Sequence, residues 1–231
     1  MKIALIGYGK MGHAIEALAP TRGHEIVCTI DNAEELESNA AQLKKADVAI
    51  EFTVPAAAAA NLRYCIENGI AVVCGTTAWY ESYDELARLC REHDGAMLTA
   101  TNFSIGMNIM FSLNQRLAQL MSGRDDYQAD ITETHHIHKL DAPSGTAITL
   151  REQIVANSKG KRSDADNIPI RSVREGEIPG IHTVRYSSIY DTITLTHEAH
   201  SRQGLALGAV IAAEFLRGKK GVFTMSDVLG R

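Results

Sequence analysis

Within the first 31 residues, the apolar run at 2–6 meets a glycine-rich turn, Gly7-Tyr-Gly-Lys-Met-Gly12, and then a helix-type stretch. A second apolar run at 25–30 follows and ends on Asp31. Strand, turn, helix and strand in so short a span form a βαβ unit, which commits the chain to a parallel sheet. In Gly7-x-Gly9-x-x-Gly12 the first glycine permits the tight turn and the second lets the backbone approach a pyrophosphate. The third lets helix and strand pack closely. The helix start, with Lys10 and Met11 in the turn, offers unpaired N–H groups and partial positive charge to phosphates. Asp31 stands where a carboxylate hydrogen-bonds the adenosine ribose and repels a 2′-phosphate. Asn32 and Ala33 follow it, with no Arg or Lys to receive that phosphate, so NADH is favoured over NADPH; Lys10 tempers the preference. The alternative is a glycine turn without a ligand.

The same rhythm continues, with strands expected at 47–52, 70–74 and 95–100 and helices at 56–68 and 83–93. The apolar character of these strands fits a sheet buried on both faces. After Asn102 the texture changes. A long amphipathic helix is expected at 107–121, a polar strand at 127–138 and a helix at 147–157. Beyond it lie a charged Pro- and Gly-bearing segment at 158–180 and strands at 181–186 and 191–197. A final Ala-rich helix at 204–216 should return to the first domain. The expected fold is thus α/β: a Rossmann-type dinucleotide-binding domain (1–105 with 204–231) and a second, α+β domain (106–203).

A net charge of −5 argues against a general nucleic-acid binder or a binder of acidic membranes. The local cluster of Lys159, Lys161 and Arg162 reads as a solvated loop. No stretch approaches the roughly 20 apolar residues of a membrane span. The N-terminus is no signal peptide, because the glycine turn interrupts its apolar run. Cys28, Cys65, Cys74 and Cys90 form no C-x-x-C pair, and buried free thiols in a reducing cytoplasm are the natural reading.

The unusual segment is Glu133-Thr-His-His-Ile-His-Lys-Leu-Asp-Ala-Pro-Ser-Gly-Thr-Ala147. Ser144 and Thr146 can cap the helix that follows, whose open N–H groups make a carboxylate site; Lys139 adds a full charge. A histidine nearby can move a proton near neutral pH. The constellation fits a small anion that must gain one proton. Zinc is not expected, because no fourth Cys, Asp or Glu stands at a usual spacing. The histidines could instead be strand residues, with Pro-Ser-Gly-Thr as a simple cap. A strict strand also sends His135 and His136 to opposite faces, so a shared site requires the strand to bend or end there.

The run His135-His136-Ile-His138-Lys139-Leu-Asp141-Ala-Pro143-Ser144-Gly145-Thr146-Ala147 closely resembles the signature of 4-hydroxy-tetrahydrodipicolinate (dihydrodipicolinate) reductases. Other pieces match in order: the turn at 7–12, Glu51-Phe52-Thr53-x-Pro55 with Glu in place of the usual Asp, and Gly75-Thr76-Thr77. Ala100-x-Asn102-Phe103-Ser104, Arg174-Glu-Gly-Glu-Ile178 with His182-Thr183, and His197 to Arg202 complete the set. The resemblance implies NAD(P)H-dependent reduction of a small cyclic dicarboxylate in diaminopimelate and lysine biosynthesis, by a cytoplasmic homotetramer. It implies His135 as proton donor, with Lys139 binding a carboxylate and sharing that role. His136, Ser144, Gly145 and Thr146 would bind substrate carboxylates, and Thr77 both substrate and nicotinamide. Phe52, Thr53, Gly75, Thr76, Ala100, Asn102 and Phe103 would frame the cofactor. One departure is that little stands between Asp31 and Asp47, where longer relatives carry an extra loop and helical turn. Two rival readings are another two-domain nicotinamide-dependent dehydrogenase of amino-acid metabolism and a non-catalytic nucleotide sensor. A semialdehyde dehydrogenase needs a nucleophilic cysteine after the nucleotide domain, and none follows Cys90.

Overall fold

The opening apolar run becomes β1 (Lys2–Ile6), which lies between β2 (Glu25–Ile30) and β3 (Val48–Glu51), parallel to both. β4 (Ala71–Cys74), β5 (Ala96–Thr99) and β10 (Gly221–Phe223) extend the sheet, giving the order β2-β1-β3-β4-β5-β10, parallel throughout. The chain steps from β1 to β2 on one side and then to β3 on the other, so the topology switches at β1. Open parallel sheets bind ligands outside the carboxyl ends of their strands at such a point. Every residue of β3 and β5 is buried, and both read as apolar up to a polar last residue, Glu51 and Thr99.

The computed structural model describes residues 1–230, the side chain of Lys161 excepted. It divides into two units: Met1–Ser104 with the residues from Arg202 on, and Ile105–Ser201. In the first, α1 (Lys10–Leu18), α4 (Pro55–Glu67), α5 (Tyr83–Glu92) and α8 (Gln203–Leu216) accompany the sheet. Pro55 opens α4 at a position where the missing N–H costs nothing. α1 starts at Lys10, inside the glycine motif, three residues earlier than a helix expected from 13. The stretch between Asp31 and Asp47 is not bare, since α2 (Ala33–Ser38) and α3 (Ala40–Leu43) fill it. β10 and α9 (Met225–Val228) were not legible as elements, being three and four residues long.

In the second unit, α6 (Ile105–Met121) and α7 (Gly145–Asn157) cover one face of a mixed sheet. β6 (Gln128–His135) runs parallel to β7 (Ile170–Arg174) and antiparallel to β8 (Gly180–Ser187), which pairs with β9 (Thr192–Ala199). The sheet order is β7-β6-β8-β9. Along β6 the buried positions are Ala129, Ile131, Glu133 and His135, a period of two that turns Glu133 and His135 to the helix-covered face. β7 arises within a segment expected to be irregular, and β6 ends at His135 rather than at 138. The solvated-loop reading fails for Arg162. It is buried and donates to the carbonyl of Met121, the last residue of α6, and to those of Arg124 and Tyr127 in the turn that follows. Lys159 is exposed, and the reading of Lys161 lies outside the described residues.

Candidate active site

The nucleotide turn leaves β1 through Gly7, whose φ of +94° favours glycine. A Cβ on Gly7 would stand 2.0 Å from the carbonyl oxygen of Phe52, and one on Gly12 would stand 2.5 Å from that of Gly7. At Gly9, the N-cap of α1, no atom lies within 4 Å of where a Cβ would be, and no side chain caps the helix. An open, uncapped helix start over a tightly packed turn fits a dinucleotide pyrophosphate. Lys10 is exposed and Met11 half-buried at the same end. Asp31 accepts the Tyr8 N–H through Oδ1 at 2.9 Å, and Glu35 accepts the Asp31 N–H at 2.8 Å. Glu34 and Glu35 both sit in the first turn of α2, so three carboxylates follow the end of β2.

Two further loops meet beside β3 and β4. Glu51, wholly buried, accepts from the N–H and hydroxyl of Thr53 and from the Cys74 thiol at 3.0 Å. The Thr53 N–H also reaches Thr76 Oγ1 at 2.8 Å, and Trp79 Nε1 donates to the Thr76 carbonyl at 2.7 Å. The Glu51 carboxylate therefore ties together the loops that carry Phe52 and Thr53 and Gly75 to Thr77. Gly75 lets the Phe52 ring lie close, since a Cβ there would come within 2.1 Å of it. Phe103 meets Phe52 edge to face at 5.7 Å and is itself buried, so it backs Phe52 rather than opening to solvent. The Ala100 N–H donates to the Cys74 carbonyl at 3.3 Å, and Asn102 accepts from the Ser104 N–H at 2.9 Å. Thr77 is exposed at the tip of its loop.

In the second unit β6 delivers His135 as its last residue. The strand ends there, so His136 is free of the alternation that would have pointed it away. The Nδ1 atom of His135 hydrogen-bonds Glu133, whose other oxygen accepts from Arg174 at 3.0 Å. The ring of His182, on β8, meets the His135 ring edge to face at 5.0 Å. Lys139 extends to Asp141, with Nζ 2.7 and 2.9 Å from the two carboxylate oxygens. Ser144 caps α7 by accepting the Ala147 N–H at 3.3 Å and lies 3.3 Å from His182 Nε2. Gly145 is exposed and Thr146 half-buried in the first turn, which holds no acidic residue. The histidine run does not converge as a set: His138 faces outward to Glu177 at 3.0 Å while His135 is buried. Three residues of metal-binding type do meet, with ligand-type atoms within 4.8 Å of one another, but they are Glu133, His135 and His182. Glu133 there already accepts from His135 and Arg174.

Burial lowers the His135 pKa, with Lys139 and Arg174 adding to the fall, while the Glu133 charge acts against it. His182 is held at about 3, by burial foremost and then by His135. For Glu133 burial is the largest single influence and acts upward. Hydrogen bonds from Ser172 and Arg174, with the His135 charge, outweigh it and leave the carboxyl below its usual range. Glu133 and His182 carried no assigned role in the sequence. Glu133 had a local signal, because residues two apart on a strand share a face. His182 was matched by the resemblance without a role, and only the pairing of β6 with β8 brings it to His135.

Residues 1–103 match the family model described as dihydrodipicolinate reductase, N-terminus, and residues 106–229 match that of its C-terminus. A 4-hydroxy-tetrahydrodipicolinate reductase from Christiangramia forsetii is 50% identical over 99% of this chain and 98% of its own. One from Nitrosomonas eutropha is 38% identical over 83% of this chain and 76% of its own. The solved dipicolinate-bound dihydrodipicolinate reductase from Paenisporosarcina sp. TG-14 shares the fold, with a TM-score of 0.80, 24% identity and 98% of each chain covered.

Proposed function

This chain belongs to the dihydrodipicolinate reductase family, the NAD(P)H-dependent enzymes of diaminopimelate and lysine biosynthesis, and we propose how its residues divide the work. The reaction is reduction of 4-hydroxy-tetrahydrodipicolinate to tetrahydrodipicolinate: one hydride and one proton are taken up and the 4-hydroxyl leaves as water. Unit 1 holds the dinucleotide: the 7–12 turn takes the pyrophosphate, Asp31 the ribose, and Phe52, Thr76, Thr77 and Asn102 the nicotinamide end. When bound, the reduced nicotinamide supplies a hydride. NADH is the preferred form, because a 2′-phosphate would meet Asp31, Glu34 and Glu35.

Unit 2 holds the dicarboxylate. Lys139 and His136 take carboxylate charge, and Ser144, Gly145 and Thr146 present it to the start of α7, where N–H groups lack intrahelical partners. Fixing two carboxylates fixes the ring, which is where positional rate enhancement comes from. His135 gives its proton to the ring carbon on which negative charge develops, and its imidazole returns to the neutral form. The observation that carries this reading is a buried imidazole ending β6, followed directly by the Lys139 loop and the Ser144-capped helix.

The face of the second sheet away from α6 and α7 presents Thr132, Thr183 and Thr196 in register, with Arg185 and Thr194 paired beside them. We assign that face to a homotetramer, which light scattering tests directly. No helix among the described residues is long and apolar enough to cross a membrane. A cytoplasmic location suits the four free thiols. The deciding assay makes the unstable substrate from pyruvate and aspartate semialdehyde with a separate synthase. Oxidation of NADH, faster than of NADPH and dependent on the synthase, is expected. No oxidation by folded protein that binds dinucleotide would overturn the reading.

A further inference from the structure

We infer that Glu133 and Arg174 are positioning residues for this reaction: Glu133 fixes His135 through Nδ1, and Arg174 ties that pair to the loop carrying Lys139. The inference rests on His135 being the proton donor.

A carboxylate with no exposed surface is costly unless both its oxygens are hydrogen-bonded. Glu133 meets that demand in a directional way. One oxygen accepts from the imidazole and the other from the guanidinium. With Nδ1–H held by Glu133, the proton that leaves and returns is the one on Nε2. An imidazole that must act through one nitrogen is commonly oriented by a carboxylate on the other. The Nε2 side is kept clear by Gly180, where a Cβ would stand 3.1 Å from that atom.

Arg174 extends the constraint into the loop. It faces His135 across the β6–β7 pairing, and besides Glu133 its guanidinium donates to the carbonyls of Lys139 at 3.2 Å, Asp141 at 2.5 Å and Val173 at 2.8 Å. One planar group thus sets the distance between the proton donor and the loop that holds the substrate-binding lysine. Arginine suits this because its fork addresses several acceptors in fixed geometry.

The groups around His135 give the pair a measurable signature. Arg174 on β7, Lys139 in the loop and His182 on β8 bear on His135, while His197 on β9 stands across from His182 and Asp141 pairs with Lys139. Glu133 is the anion that favours the imidazolium. Glu133→Gln is expected to lower kcat roughly 100-fold, with KM within about twofold. The high-pH limb of the kcat/KM profile should move to lower pH. Glu133→Asp should recover part of kcat and move the limb partly back. Combined with His135→Ala, Glu133→Gln should add no further loss, because a donor that is absent cannot be mispositioned. Wild-type kcat and pH profile in Glu133→Gln, or additive losses in the double variant, would overturn the inference. Full turnover in His135→Ala would instead remove the proton-donor assignment beneath it. NADH binding and thermal melting report folding. If Glu133→Gln does not fold, Glu133→Asp and Arg174→Lys decide: lowered kcat with unchanged NADH affinity supports the pair, and wild-type kcat in both refutes it.

Discussion

Lys139 Nζ lies 2.7 and 2.9 Å from the two oxygens of Asp141, so the lysine assigned to a substrate carboxylate is held by a carboxylate of its own loop. The Asp141 backbone carbonyl is separately fixed by Arg174, which keeps the loop in place whatever the side chain does. An incoming carboxylate must displace Asp141 or share the ammonium with it. Asp141 is largely exposed, and an exposed pair is worth about 0.2–1 kcal/mol. Asp141→Asn should therefore lower KM for the dicarboxylate by up to about fivefold, with kcat little changed. A raised KM in steady-state assays would instead make Asp141 a guide that orients Lys139.

Asp31 offers the second test. Its Oδ1 is engaged by the Tyr8 N–H, and Glu34 and Glu35 open the helix that follows. A 2′-phosphate brought there meets negative charge with no cation near it in sequence. Asp31→Ala removes one repulsion and one ribose contact together, so NADH should weaken as NADPH improves. The ratio of their kcat/KM values should shift toward NADPH by about tenfold, the equivalent of roughly 1.4 kcal/mol. An unchanged ratio would mean that the adenosine ribose does not reach Asp31.

Local patterns were the legible part of this molecule. Gly7, Gly9, Gly12 and Asp31 declared the βαβ unit, because each spacing is a backbone requirement met within one supersecondary element. The apolar character of β3 and β5, interrupted only at their last residues, declared a doubly covered sheet. Pairing across the chain was not legible. Ile170–Arg174 looked like charged loop because an edge strand needs little apolar content, and only its register with Ile131–His135 sets Arg174 beside Glu133. Arg162 looked solvated because sequence does not show that the end of α6 passes beside it. His135 was thus readable as a candidate from its own segment, whereas Arg174 and His182 reach it from β7 and β8.

His182 makes stability depend on pH in a defined direction. Burial holds its folded pKa at about 3, against 6.5 for a free imidazole. Between those values the unfolded chain binds the proton and the folded chain does not, so stability is complete above about pH 6.5 and declines as pH falls toward 3. One such group contributes a slope of at most about 1.4 kcal/mol per pH unit. His182→Gln should flatten the melting temperature between pH 6.5 and 4.5 relative to the parent, while lowering it at pH 7.5 through the lost packing against His135. A parallel pH dependence in the two proteins would assign the acid lability to other groups, His197 among them, whose pKa burial also lowers.

Gly204 and Gly208 share α8 and should respond oppositely to the same added methyl. At Gly208 a Cβ would stand 1.7 Å from the Phe103 carbonyl oxygen, a backbone atom that cannot rotate away. Helix and segment must separate, and overpacking of this kind costs about 1–3 kcal/mol or more. The displaced segment leads back to Asn102 and Ala100, and Phe103 itself backs Phe52. Gly208→Ala should therefore lose dinucleotide affinity along with stability. At Gly204 nothing lies within 4 Å and the position is exposed, so alanine removes only the backbone freedom of glycine in a helix. Gly204→Ala should gain up to about 1 kcal/mol. Denaturant unfolding with NADH titration reads both, and equal destabilisation by the two would show that α8 does not press on Phe103 in solution.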